Sequence, residues 1–293
     1  MAGQLKEVRN RIKSVQSTQQ ITKAMKMVSA AKLRRAQDAI IQMRPYARKL
    51  QELLTNIVSN SEGETGLVLA VDRPVEKVLL IVITSDRGLA GAFNTNVIKL
   101  AKATIAARYA AQHKKGNVAI WNIGKKGYEH FTKNNFKTDA THKDIFLHLT
   151  FENVQKASQA AMKSFEEKGF DIVEIIYSQF KNAATQRFEV ERFLPIPKVE
   201  KKAGDKKADF IFDPSKEELL RELMPKILNT QLYKAVLDSN ASEHGARMTA
   251  MDKASENANE ILRNLKISYN SARQAAITTE LTEIVSGAAA LQG

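Results

Sequence analysis

Leu5, Val8, Ile12, Val15, Gln19, Thr22, Lys26, Ser29, Leu33, Ala36, Ile40, Met43, Ala47, Leu50, Leu54 and Ile57 follow one another at steps of three and four residues. Such spacing keeps one face of an α-helix against a partner helix over many turns. At about 1.5 Å per residue, a helix over residues 1–59 would span roughly 85 Å. That is longer than an ordinary domain, so the expected form is a helical rod with something attached. Both ends of the seam are apolar and its middle, Gln19 to Ser29, is polar. The polar centre predicts that the helix changes neighbours partway along. Pro45 removes one helical hydrogen bond, but the seam continues on both sides, so the reading is a kinked helix and not an ended one.

Outward from this helix, the chain changes character. Val78-Leu79-Leu80-Ile81-Val82-Ile83-Thr84 is a β-branched and apolar run of the kind buried on both faces of a parallel sheet. A helical stretch from about Asn94 to His113 follows. Val118 to Ile123 reads as a second strand, and Gly124 as the start of a short helix. Residues 151–168 read as an amphipathic helix ended by Gly169, Ile172 to Tyr177 as a third strand, and Phe188 to Leu194 as a fourth. Strands alternating with helices predict a small, Rossmann-like α/β domain with a mainly parallel sheet. Pro195-Ile196-Pro197 closes it, Lys198 to Asp209 is a charged loop, and Phe210-Ile211-Phe212 is a candidate last strand. Ser215 and Glu218 have the form of a capping box. Beyond them, Met248, Met251, Ser255, Ala258, Leu262, Leu265, Tyr269, Ala272 and Ala276 repeat the helical seam, and Pro225 is expected to bend this helix early. The expected organisation is a coiled-coil helix over 1–59, a linker over 60–76, the α/β domain over 77–197, a charged loop and short strand over 198–214, and a second coiled-coil helix over 215–293. The intervening domain returns the chain, so the two long helices should pair antiparallel.

The 293 residues carry a net charge of +13, unevenly placed. Residues 1–59 hold twelve Lys and Arg against Glu7, Asp38 and Glu52, whereas residues 216–293 hold nine against ten acids. A basic helix seeks a polyanionic surface: nucleic acid, acidic lipid or an acidic protein loop. A solvated helix face is the plainer alternative. Aromatic content of 6% suits long helices better than a thick core, and the absence of cysteine excludes a disulfide framework, a thiol switch and Cys-based zinc. No apolar run reaches membrane-spanning length and the start lacks a signal-peptide pattern, so a soluble or peripheral protein on a cytoplasmic side is expected.

Thr84-Ser85-Asp86-Arg87-Gly88-Leu89-Ala90-Gly91 lies where nucleotide-binding α/β folds place a phosphate loop, but neither G-x-G-x-x-G nor Gly-Lys-Ser/Thr is present. Asp86, Arg87, Gly88 and Gly91 are therefore assigned to a structural turn. Asp139, His142, Asp144 and His148 match no compact metal spacing, and no Ser/His/Asp grouping has positional support. No catalytic residue, cofactor or metal is expected. Lys23-Ala24-Met25-Lys26-Met27 sits in the polar centre of the first helix. Ile21 and Met25 lie off the seam, either as a second packing stripe under the α/β domain or as a contact with an outside partner.

At these residues the chain resembles the gamma subunit of F-type ATP synthases. The resemblance runs through residues 12–25, Arg44-Pro45-Tyr46, Ser85-Asp86-Arg87-Gly88-Leu89, Ser242-Glu243 with Ala246-Arg247-Met248, and the most specific stretch, Ile277-Thr278-Thr279-Glu280-Leu281-Thr282-Glu283-Ile284-Val285-Ser286-Gly287-Ala288-Ala289-Ala290. It implies a rotating central shaft inside a ring of alpha and beta subunits, in contact with the epsilon subunit and the membrane c-subunit ring, coupling ion (proton) flow to ATP synthesis or hydrolysis. It implies no cofactor, no nucleic acid and no catalysis by this chain. Met25, with Lys26 beside it, would meet the beta subunits' acidic loop, and Glu243 and Arg247 would face it from the second helix. Arg273, Gln274, Thr278, Glu280 and Glu283 would lie where the shaft's tip meets the upper ring. Gly245 stands where the family usually has alanine, and an interior helical glycine costs about 1 kcal/mol relative to alanine. The plastid relatives' cysteine-bearing insert is missing. With no transit-like leader, the expected place is the cytoplasmic face of a bacterial inner membrane. Two other classes compete: a basic coiled-coil protein for nucleic acid or acidic membranes, and a nucleotide enzyme using the Gly88–Gly91 turn.

Overall fold

A computed structural model describes residues 2–59, 68–183, 185–196 and 216–292. The loop from Asn60 to Gly66, the charged loop Lys198–Asp209, the candidate strand Phe210-Ile211-Phe212 and the Ser215 end of the capping box lie outside the described residues. The chain divides into two compact units, Met1–Ser29 with Arg247–Gly293, and Ala30–Ala246.

Two long helices contribute to both units, α1 (Ala2–Ser59) and, at the other end of the chain, Lys216–Gln292. Between them come β1 (Val78–Ile83), α2 (Phe93–Arg108), α3 (Ala110–Lys114), β2 (Val118–Ile123), α4 (Lys125–Lys133), β3 (Lys137–Asp139), α5 (Phe151–Glu166), β4 (Ile172–Phe180) and β5 (Gln186–Leu194), so the last helix is α6. The heptad reading of α1 is legible in its burial. Among residues 5–50 every seam position is buried or half-buried, while most residues between them are exposed. Pro45 lies inside the continuous helix.

In the α/β unit the sheet order is β3-β2-β1-β4-β5. The first four strands are parallel and β5 returns antiparallel to β4. Every residue of β1 is buried because both faces of the sheet are covered. Leu79, Ile81 and Ile83 pack in one core with Val154, Ala161 and Phe165 of α5 and with Leu228, Leu232 and Val236 of α6. Val78, Leu80 and Val82 face the other way, against Phe93, Val97 and Ala101 of α2 and Phe131 of α4. This double coverage is why β1 reads as an unbroken apolar run and not as an alternating one.

Three local readings change. The helix expected from Asn94 to His113 breaks at Tyr109, giving α2 and α3. The residue in the left-handed region after α5 is Lys168 (φ 57°), one before Gly169. Gly169 N–H then closes the helix on Ser164 C=O at 2.8 Å, and a Cβ on Gly169 would lie 2.9 Å from that oxygen. Glycine is needed there for close approach and not for its φ. Finally, β3 and two 3-10 turns, Val68–Ala70 and Ile145–His148, were not anticipated. Leu69 of the first turn is buried in the sheet's core, and its C=O accepts from Ile196 N–H at 3.0 Å.

Asp238 of α6 is a buried acid within this unit, 5% exposed. Burial pushes its carboxyl up to about 6; Lys234 and Arg44 oppose the rise, and Glu191 and Glu189 of β5 add to it. A carboxyl raised on folding binds its proton more tightly in the folded state. Its contribution therefore favours folding at low pH and is lost as pH climbs from the ordinary carboxylate range to about 6. We expect Asp238→Asn to remove this loss. Between pH 4.5 and 7.5 the stability of the variant, measured by urea unfolding, should fall by about 2 kcal/mol less than that of the parent. An unchanged pH slope would contradict the assignment.

Candidate partner-binding surface

In the coiled-coil unit the first helix meets the last antiparallel, and the polar centre of α1 is matched by polar groups of α6. Arg9 Nη2 donates to Tyr269 Oη at 2.8 Å. Gln19 bonds Asn259. The hydroxyls of Thr22 and Ser255 are 2.8 Å apart, and Lys26 pairs with Asp252. The residue numbers of each pair add to 277 or 278, so one register holds from Arg9 to Lys26. The polar stretch therefore keeps one neighbour up to Lys26, and the change expected partway along α1 follows it. It is a polar layer inside a single pairing, and the change of unit comes at its end, after Ser29. A slip of one turn would set Thr22 against apolar seam positions and take away Ser255, leaving its hydroxyl only the Gln19 C=O of its own helix at 3.0 Å.

Lys26 is half-buried and occupied by Asp252. Met25 beside it is also half-buried, but Ile21, Met27 and Val28 are 57–60% exposed. Of the two residues read as a second packing stripe, Ile21 is therefore uncovered in this chain and Met25 is half-buried. Ile21 and Val28, seven residues apart, share one exposed helical face, and Met27 lies on another, beside the exposed Lys23. Arg273, Gln274, Thr278, Glu280 and Glu283 are all exposed on α6. Residues 280–290 are exposed without interruption, including Leu281, Ile284 and Val285. The same register sets Ala2, the first described residue of α1, opposite Ala276. Glu243 and Arg247, by contrast, are buried, at 7% and 8%.

The turn after β1 is committed to structure. Ser85 N–H donates to Asn94 Oδ1 at 2.9 Å, tying the turn to α2. It also satisfies the N-terminus of α4. Lys125 N–H donates to Asp86 Oδ1, Lys126 N–H to Ser85 C=O, and Gly127 N–H to Thr84 Oγ1. Those are the helix donors that would otherwise receive an anion. Burial raises the Asp86 carboxyl, and the Lys125 hydrogen bond opposes the rise. The crevice at the carboxyl ends of β1 and β4, where the strand order reverses and open α/β sheets bind ligands, is filled by α6. Ser239 Oγ donates to Ile83 C=O at 3.5 Å and Ser242 Oγ to Ser178 C=O at 3.1 Å. Around the His and Asp residues of 139–148, His142 packs on Trp121, Asp144 pairs with Lys125 and Asp139 accepts from Thr141 N–H. Among the described residues no three metal-ligating side chains converge, and no helix is long and apolar enough to cross a membrane.

The signal missed in the sequence was the run of small residues on α6. Ser239, Ser242 and Gly245 fall three apart on one helical face, and each meets the sheet's backbone or its connecting turn. In the sequence Ser242 and Gly245 entered only through the family resemblance, and Ser239 carried no signal.

Two long helices, an α/β domain inserted between them with its crevice filled, and an uncovered apolar helical surface define a coiled-coil subunit built to pack against other chains. Residues 4–291 match the model of the protein family described as ATP synthase. The ATP synthase gamma chain of Cytophaga hutchinsonii is 53% identical over 290 residues, covering 98% of both chains. That of Flavobacterium johnsoniae is 54% identical over 289 residues, covering 99% of each. The chain belongs to the ATP synthase gamma-chain family. Among solved structures, a chain of the Euglena gracilis mitochondrial ATP synthase, from its OSCP/F1/c-ring assembly, aligns with a TM-score of 0.66 at 19% identity over 99% of this chain and 95% of that one. A chain of the Tetrahymena thermophila central stalk/c-ring aligns with a TM-score of 0.55 at 21% identity over 80% and 99%. These two share the fold.

The turn's glycines should separate by substitution. A Cβ on Gly124 (φ 102°) would lie 2.1 Å from Thr84 C=O, so Gly124→Ala should cost more than about 3 kcal/mol. Gly91 has φ 56°, and its alanine should cost about 1 kcal/mol. A Cβ on Gly88 meets nothing within 4 Å, and its alanine should stay within about 0.5 kcal/mol of the parent. Denaturant midpoints of the three variants check the order, and equal midpoints would refute it.

Proposed function

We propose that this chain is the rotating central-stalk subunit of an F-type ATP synthase, peripheral on the cytoplasmic face of a bacterial inner membrane. It couples transmembrane ion (proton) flow mechanically to ATP synthesis or hydrolysis at the beta subunits. Its partners are the alpha and beta subunits, the epsilon subunit and the c-subunit ring. The observation that carries this reading is the match to ATP synthase gamma chains across nearly the whole of both chains. The exposed apolar stripe Ile277, Leu281, Ile284 and Val285 supports it, because such a surface on a helix needs a protein sleeve to leave water. The mechanism assigns no reacting group to this chain. An asymmetric pair of helices biases neighbours that have two packed states, and binding energy differs between those states as the helices turn. Reconstitution with alpha and beta subunits, assayed for ATP hydrolysis with and without this chain, tests the reading. Saturable, steeply salt-weakened DNA binding without assembly would favour the basic coiled-coil alternative.

Met25 and Lys26 are assigned to contact with the beta subunits; Glu243 and Arg247, at 7% and 8% exposed, would reach them only through the small part of each that is accessible. Met25→Lys adds a cation to a helix already bearing Lys23 and Lys26. Extra attraction to an acidic loop at one angular position should stall the turn. Hydrolysis should persist while proton pumping falls; a wild-type ratio of the two would remove Met25 from this role.

Arg273, Gln274, Thr278, Glu280 and Glu283 are assigned to the tip's contact with the upper ring. A turning tip works best with non-directional contacts, since strong directional bonds would have to break on every turn. Deleting Ser286 to Gly293 should weaken assembly and slow turnover without abolishing it. Ala288→Arg should be worse, because it puts an unpaired charge in an apolar collar. Subunit retention and hydrolysis of purified complexes check both. Normal assembly and speed for Ala288→Arg would mean that the tail is not sleeved.

A further inference from the structure

Gly245 is a glycine in the interior of α6, and the proposed function does not account for it. Glycine is the least favourable residue after proline in a helix interior, and α6 continues through it. The reason lies across from it. A Cβ built on Gly245 would sit 3.2 Å from both Cα and O of Ala183. Ala183 lies in the turn joining β4 to β5, which is closed by Thr185 N–H donating to Asn182 Oδ1 at 2.6 Å and Asn182 N–H to Thr185 C=O at 3.4 Å. The contact is with main chain on both sides, so no side-chain rotation relieves it. The stem of the same hairpin is held one turn earlier, where Ser242 Oγ donates to Ser178 C=O. Positions 242 and 245 therefore hold the stem and the turn to one face of α6. Two residues further on, at Arg247, the chain passes into the coiled-coil unit.

We propose that Gly245 is a positioning residue: it seats the β4–β5 turn on α6, and the seated turn stays closed during turnover, bracing the helix just before it leaves the α/β unit. The bracing role rests on the coupling function proposed above; the seat itself does not. Alanine at 245 adds intrinsic helix preference and at the same time pushes the turn away by a few tenths of an ångström. A purely helical role would make Gly245→Ala better in every respect. A seat would make the helix firmer and the turn looser.

The test uses the full chain, alone and reconstituted with alpha, beta, epsilon and membrane subunits. In Gly245→Ala, amide hydrogen exchange across residues 180–187 should speed up by roughly tenfold while residues 225–244 exchange no faster, and the ratio of proton pumping to hydrolysis should fall. The second variant is Ala183→Cys/Gly245→Cys. The chain has no cysteine of its own, and a Cβ of residue 245 would lie 3.2 Å from Cα of residue 183, so the two thiols are introduced at touching positions. Reduced, this variant should behave as Gly245→Ala does. A mild added oxidant, taking two electrons and two protons from the thiols, should close the bridge, restore slow exchange and return the pumping ratio. Unchanged exchange in Gly245→Ala overturns the seat. A cross-linked complex that stops hydrolysing, and recovers on reduction, overturns the claim that the turn stays closed. Loosened exchange with an unaltered pumping ratio overturns the bracing role. Failure of every variant and of the parent to assemble would strike the proposed function instead, and exchange in the isolated chain would still decide the seat.

Discussion

The antiparallel register between α1 and α6 is the constraint from which the rest of the chain follows. Once Thr22 meets Ser255 and Lys26 meets Asp252, everything between these residues has to return the chain to its starting helix. A parallel sheet with crossover helices does this while leaving both ends of the inserted domain free to continue as helix. The polar layer makes the register specific. Thr22 and Ser255 are hydrogen-bonded in the seam, and each also bonds a carbonyl of its own helix, so a slipped register loses the pairing across the seam without leaving either hydroxyl bare. The Lys26–Asp252 pair is about half exposed, so its share lies in selecting the register more than in stability.

Inside the α/β unit the corresponding decision is made by α6. An open sheet with a reversal between β1 and β4 has a crevice ready for a ligand, and this chain fills it with its own helix. Small residues permit the approach: Ser239 and Ser242 give their hydroxyl protons to strand carbonyls, and Gly245 gives up its side chain altogether. The turn after β1, which in a nucleotide fold receives phosphate, instead supplies Asp86, Ser85 and Thr84 to the first N–H groups of α4. The resemblance to a nucleotide-binding fold is thus architectural, and the polar groups at that place are spent on holding the fold.

Much of this was legible in the sequence where periodicity is long. The seam of α1, its continuation through Pro45, the buried run of β1 and the seam of α6 all rest on repeated spacing, which single exceptions do not erase. What was not legible depends on a partner far away in sequence. The meaning of Gln19, Thr22 and Lys26 is set by Asn259, Ser255 and Asp252 more than two hundred residues later. β3 has three residues, Lys-Thr-Asp, at the sheet's edge with no apolar pattern to announce it. The end of α5 read at Gly169 is shared by two residues: Lys168 takes the left-handed conformation, and Gly169 makes the close approach to Ser164. The apolar residues Ile277, Leu281, Ile284 and Val285 are uncovered in the chain, and the burial of Glu243 and Arg247 was not legible in the sequence.

The central claim is that this chain works by turning. With alpha and beta subunits fixed to a surface and a bead attached through Lys133→Cys, on an exposed position of the α/β unit, hydrolysis of ATP should drive the bead around in one direction. The introduced cysteine would be the only one in the chain. A bead that stays still, or jitters without direction, while the same complexes hydrolyse ATP at full rate would contradict the account.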